Sequence, residues 1–232
     1  MTPRPPRLPA TLVLLLLASC GGGGGGGGAA VDLVDQNADG TIVIVCFGDS
    51  ITRGTGDGEE ARETPPLPAG YPARLQERLG VTVINAGQGG ENTEEGRRRI
   101  DRVLDENPTD YVVILEGVND VSDRRTTNLI PDLESMIGSA NGRGVVPLIA
   151  TLTPTCCNRV NQTPPGRVND VSVEIRDLAE RTATVLVDFN AAFAPEGVFD
   201  PASGLIHTPD GLHPTLSGYD LMSDTVAELF GF

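Results

Sequence analysis

The sequence predicts an α/β fold, a parallel sheet with helices on both faces, and three observations carry that expectation. Short unbroken apolar runs rich in Val and Ile recur along the chain, as in strands covered from both sides. Helix-length stretches with apolar residues three or four apart separate them, long enough for crossover connections between parallel strands. Polar clusters stand directly after several of the runs, where ligands bind in open sheets of this kind.

Ahead of the first run, the chain opens with Arg4 and Arg7, an apolar segment at 12–18 (LVLLLLA), and Ser19-Cys20. This reads as a signal peptide over 1–19, because the apolar segment is well short of the ~20 residues that a membrane span needs. The segment Leu17-Ala18-Ser19-Cys20 resembles a bacterial lipoprotein signal, which implies cleavage before Cys20, lipidation of its sulfur and a membrane anchor. Gly21 through Gly28 then form a run that offers no side chain to bury, so 20–40 is expected to be a tether and lead-in to a single folded domain at 41–232. With Gly21 and no acidic residue beside Cys20, the chain resembles lipoproteins sorted outward, to an outer membrane or cell surface of the envelope. Asp35, Asn37 and Asp39 have the spacing that opens a calcium loop, but the twelfth position is Cys46 where a bidentate Glu is needed. A turn is expected there, and no metal or other cofactor is assigned.

The run at 42–47 (IVIVCF) is the first strand. Tyr71, Leu75 and Leu79 mark a helix, 81–84 a second strand, and Ile100, Val103 and Leu104 a helix ending near Asn107-Pro108. A third strand at 111–115 (YVVIL) and a fourth at 145–150 (VVPLIA) flank a helix carrying Leu129, Leu133, Met136 and Ile137. Val171, Ile175 and Leu178 precede a fifth strand at 185–187, and Leu221, Val226, Leu229 and Phe230 belong to a last helix.

Four polar clusters fall at one predicted rim: Gly48-Asp49-Ser50-Ile51, the stretch Asn85 to Gly90, Glu116-Gly117-Val118-Asn119-Asp120, and Asp210-Gly211-Leu212-His213. A serine hydroxyl needs a base to become a nucleophile, and the chain has only His207 and His213 to offer near neutral pH. His213, three residues after Asp210, suits the role best: the carboxylate can fix the ring tautomer while the other nitrogen faces Ser50. Attack on an ester creates an oxyanion, for which the N–H groups of Ser50 and Gly90 and the Asn119 amide are candidate donors. Asp49 is expected to hydrogen-bond within the loop. Asp120 is expected to shape the Asn119 loop or cap a helix.

These clusters resemble, in order, the four sequence blocks of the SGNH hydrolase superfamily, the GDSL-type esterases and lipases: Gly48-Asp49-Ser50-Ile51, with Ile where many members have Leu; Asn85-x-Gly87-x-x-Gly90; Gly117-x-Asn119-Asp120; and Asp210-x-x-His213. The resemblance covers about 41–230. It implies a flavodoxin-like three-layer α/β/α sandwich on a five-stranded parallel sheet, with Ser50 as nucleophile, His213 as base, Asp210 orienting it, and Ser50, Gly90 and Asn119 as the oxyanion hole. It also implies hydrolysis of esters or thioesters. Within that class the compact chain suits short-chain and acetyl esters, acetylated carbohydrates included; lysophospholipids and longer acyl esters are the alternative. A binding protein on a retained hydrolase scaffold is the non-enzymatic rival, separated by a general ester assay.

The formal net charge of -15, with Arg supplying every basic side chain, repels polyanions, so nucleic acid is excluded as a partner and a neutral ester or glycan is easier to accept. With Cys20 committed to lipid, Cys46, Cys156 and Cys157 form an odd set: Cys46 reads as a core thiol, and one of the adjacent pair could bridge to another loop cysteine or to Cys46.

Overall fold

The computed structural model describes residues 31–57 and 70–232. The predicted signal peptide, Cys20, the glycine run and most of the 57–70 stretch lie outside the described residues. Val31 is already tied to the domain, its N–H donating to Leu229 O at 2.7 Å, and the Tyr111 hydroxyl bridges the backbone at Asp32 and Val34. The 35–41 segment closes on itself: Asp35 accepts from the N–H groups of Asp39 and Gly40, and Asp39 accepts from the N–H and hydroxyl of Thr41.

Five parallel strands follow: β1 (Val43–Gly48), β2 (Thr82–Gly87), β3 (Tyr111–Leu115), β4 (Val146–Ala150) and β5 (Val185–Val187), in the spatial order β2-β1-β3-β4-β5. Between and after them run α1 (Ser50–Arg53), α2 (Gly70–Leu79), α3 (Thr93–Glu106), α4 (Val118–Asp123), α5 (Leu129–Asn141), α6 (Pro165–Thr182), α7 (Phe189–Phe193) and α8 (Leu216–Leu229). Helices α2 and α8 pack together, as do α3 with α5 and α5 with α6. The result is the three-layer sandwich expected from the sequence. No helix among the described residues is long and apolar enough to cross a membrane.

Strand β1 is buried at every position because it is central and covered on both faces, whereas edge strand β2 is half-exposed. Two details depart from the sequence reading for physical reasons. Strand β2 extends through Asn85, Ala86 and Gly87, which read as loop residues, because parallel pairing with Cys46, Phe47 and Gly48 overrides their weak strand preference. Pro147 sits inside β4 without loss: Val146 donates toward β3, so alternation turns the missing N–H of Pro147 toward β5, whose pairing begins only at Leu148. The short helices α1, α4 and α7 carry too few residues for a periodicity and were not legible as helices.

Candidate active site

The end of β1 turns at once into α1. Asp49 is its N-cap, accepting from Ile51 N at 2.8 Å, so Ser50 is the first helical residue and not the cap. This turn lies tightly on β2: a Cβ on Gly87 would stand 2.2 Å from Arg53 N, so only glycine lets the two segments approach. Nearby, Gly90 takes a φ of 79°, its N–H has no acceptor among the described residues, and a Cβ at Gly89 would be 4.0 Å from Ser50 Cβ.

Asn119, on α4 just beyond β3, donates through Nδ2 to Glu91 O at 2.7 Å and reaches Asp49 Oδ2 at 3.4 Å. The first bond is firm. The second is at the limit of a hydrogen bond, which leaves that N–H open to a better acceptor. Asp120 takes the N–H and hydroxyl of Thr93 at 2.9 and 2.6 Å, tying the start of α3 to the Asn119 turn. Its role is thus structural, as expected, but the helix it anchors is α3.

The fourth cluster closes over the first. Ser50 Oγ and His213 Nε2 are 3.0 Å apart, and His213 Nδ1 and Asp210 Oδ2 are 2.8 Å apart. A carboxylate can only accept, so Nδ1 carries the proton and Nε2 is left to accept from the serine hydroxyl. Asp210 Oδ2 also takes the His213 N–H at 2.9 Å. Burial tends to raise the Asp210 carboxyl, but the bonds from His213, with Arg159 farther off, hold it below the usual carboxylate range. The competing imidazole is occupied elsewhere, with His207 Nε2 at 2.8 Å from Gly56 O.

Sequence reasoning missed what holds this loop. Cys156 N donates to Gly211 O at 2.9 Å, Arg159 Nη2 stands 3.6 Å from Asp210 Oδ1, and a Cβ on Gly211, at φ 74°, would lie 2.0 Å from Cys156 O. Cys156 and Cys157 are disulfide-bonded to each other, not to Cys46 or another loop; Cys46 is free and buried, and burial pushes its thiol up to about 12. The adjacency of two cysteines after β4 was the available signal, but nothing in the sequence ties them to Gly211.

Beneath the serine lies a second unpredicted feature, a set of buried acids. Asp49 is pushed up to about 7, first by burial and then by the charges of Glu91 and Asp120, against the Ile51 N–H bond that pulls it down. Glu91 pairs with Arg99, whose Nε lies 2.7 and 3.0 Å from its two oxygens. Glu116 is buried, and neither carboxyl oxygen finds a donor among the described residues.

A model of the GDSL-like Lipase/Acylhydrolase family matches residues 46–221. The chain belongs to that family. Membership places it among ester hydrolases of the lipase and acylhydrolase type. Among solved structures, a lipase/acylhydrolase from Enterococcus faecalis superposes with a TM-score of 0.69 at 25% identity, covering 82% of this chain and 96% of that one. An acetyl xylan esterase from Geobacillus stearothermophilus shares the fold, with a TM-score of 0.63 at 22% identity over 82% of this chain and 95% of its own. A Bacillus subtilis protein, the uncharacterized lipoprotein YqeF, is 31% identical over 127 residues, which is 48% of each chain. The chain thus spans about half the length of that curated relative.

Proposed function

We propose that this GDSL-family chain is a serine carboxylic-ester hydrolase that works through an acyl-enzyme, with Ser50 as nucleophile, His213 as general base and acid, and Asp210 orienting the ring. The observation that carries this reading is the continuous chain Ser50 Oγ to His213 Nε2 at 3.0 Å and His213 Nδ1 to Asp210 Oδ2 at 2.8 Å. In the first half-reaction the hydroxyl proton passes to His213 Nε2 as Oγ bonds the ester carbonyl carbon. The carbonyl electron pair moves to oxygen, where the N–H groups of Ser50 and Gly90 and the second Nδ2–H of Asn119 receive it. Collapse breaks the bond to the alcohol oxygen, which leaves with the proton held by His213. Water then attacks the acyl-serine, gives a proton to His213, and the acid departs as Ser50 recovers its own. A fluorophosphonate probe is expected to label Ser50 stoichiometrically, and S50A to lose both labelling and turnover; an S50A protein with normal turnover overturns the mechanism.

The proposed substrates are short-chain esters, acetyl esters of carbohydrates among them. The acidic balance of the chain favours neutral alcohol moieties over anionic lipids, and the architecture shared with an acetyl xylan esterase is one that accommodates such chemistry. A second reading, longer acyl chains, is favoured by an apolar depression of about 250 Å³ lined by Pro154, Cys156, Cys157, Val160, Val198 and Phe199. Turnover across acyl length, acetylated xylan and lysophospholipid decides between them. Preference for long acyl chains with no acetyl esterase activity rejects the first.

Export as a lipoprotein anchored through Cys20 is proposed from the Arg4, Arg7, apolar segment and Leu17-Ala18-Ser19-Cys20 pattern, supported by the lipoprotein name of the Bacillus relative. Metabolic labelling with a fatty acid is expected to mark the wild-type chain and not C20S; equal labelling of both refutes it.

A further inference from the structure

The buried acids beneath the serine have a charge problem that the catalytic reading leaves unanswered. Glu91 and Glu116 are 2% and 0% exposed, so both have left water, yet among the described residues only one cation, Arg99, pairs with Glu91 and none pairs with Glu116. That cation is heavily committed. Besides gripping Glu91, its guanidinium donates to Ala86 O at 2.9 Å and to Gly48 O at 3.3 Å, and it lies over the Phe47 ring at 4.0 Å. Glu116 receives none of these bonds. Its stem is packed against apolar neighbours: an atom placed as a Cβ on Gly96 would meet Glu116 Cγ and Met136 Sδ at 3.5 Å and Phe47 at 3.3 Å. A buried carboxylate with no donor at either oxygen is untenable in such surroundings, whereas a neutral carboxylic acid is itself a donor.

We propose that Glu116 is a neutral carboxylic acid that donates its proton to Glu91, so that Arg99, Glu91 and Glu116 form a buried clamp positioning the oxyanion donors of the active site. Glu91 is the element that makes such a clamp useful. It follows Gly90 directly in the chain, and its carbonyl oxygen accepts the Asn119 Nδ2–H at 2.7 Å. The Gly90 and Asn119 donors of the proposed hole therefore hang from the backbone at position 91, and the Glu91 side chain fixes that backbone to the core. Burial first, then the charges of Asp49 and Glu91 and a hydrogen bond with the Glu91 side chain, drives Glu116 far above the usual carboxylate range. A neutral Glu116 also keeps a further negative charge from beneath a site where an oxyanion must form. Glu116 acts through Glu91 and touches no reacting atom, so its role is one of positioning.

The inference rests on the reading of Gly90 and Asn119 as oxyanion donors, but its first test does not. Infrared difference spectra of the full chain near neutral pH are expected to contain the stretch of a protonated carboxyl that E116Q removes; absence of any such Glu116 band overturns the proposal whether or not the protein hydrolyses esters. In steady-state kinetics with a short-chain ester, E116L, which cannot donate, is expected to lose about 10-fold to 10²-fold in kcat with KM little changed. E116Q, whose amide still donates to Glu91, is expected to recover most of that loss. A Gln variant as impaired as the Leu variant, or a Leu variant with wild-type kcat, refutes the clamp. Should E116L fail to fold, the spectra and E116Q still decide.

Discussion

The two halves of the candidate site are held in different ways. Ser50, Gly90 and Asn119 stand beyond the ends of β1, β2 and β3, on turns whose polar groups are bonded to one another and to the core: Asp49 to Ile51, Asn119 to Glu91, Glu91 to Arg99. Asp210 and His213 belong to a loop between α7 and α8, with Asp210 partly exposed; the loop is seated by buried Ile206 and Leu212, and beyond them it is held by the Cys156–Gly211 backbone bond, Arg159 and the contact of His207 Nε2 with Gly56 O. A core-backed half cannot shift without disturbing the sheet, whereas the imidazole half depends on a few contacts at the rim. Mutations far from the chemistry should therefore reach catalysis more easily through the second half.

Removing the imidazole is the strongest way to break the contrast. H213A is expected to lower kcat on the order of 10⁴-fold or more, while H207A, whose ring bonds Gly56 O, loses far less; comparable losses in steady-state assays of the two would undo the assignment of the base. On the core-backed half, N119A is expected to cost about 10²–10³-fold in kcat with little change in KM, as for loss of one oxyanion donor. Retention of full kcat would remove Asn119 from the hole.

The rim is tested by G211A. A methyl group there collides with Cys156 O and sits at a φ that costs an L-residue roughly 1–2 kcal/mol, so the Asp210–His213 turn should move and kcat should fall about 10²-fold. Unaltered kcat in G211A would show that the rim tolerates more displacement than the contacts suggest.

A last effect concerns stability and sharpens the account of the core-backed half. Asp49 stands near 7 in the folded protein against 3.8 unperturbed, so in that window the folded state binds more protons than the unfolded one and stability falls as pH rises. Fully expressed above pH 7, the loss from this group alone is on the order of 4 kcal/mol. Denaturant titrations at pH 5 and pH 8 are expected to show lower stability at the higher pH, and D49N to flatten the difference. The same slope in D49N would place the titrating group elsewhere.

Much of the architecture was legible from sequence because a strand covered on both faces must be apolar throughout, as IVIVCF and YVVIL are, and because Leu129, Leu133, Met136 and Ile137 have a spacing that only a helix turns to one side. The ends of elements were less so. Asn85 and Gly87 became strand through their partners on β1, and Pro147 was tolerated because of where β5 begins; both are properties of a neighbouring chain segment.

The candidate site divides along the same line. Which polar side chains stand at the rim, and the close spacing of Asp210 and His213, followed from local sequence, since a carboxylate three residues from an imidazole needs only one turn to reach it. That the imidazole lands 3.0 Å from a hydroxyl 163 residues earlier, that His207 does not, and that Glu116 is buried without a donor were decided by the folded chain alone. Contacts between residues far apart in the chain depend on how the layers pack, and burial turns an ordinary carboxyl into a group that must keep its proton.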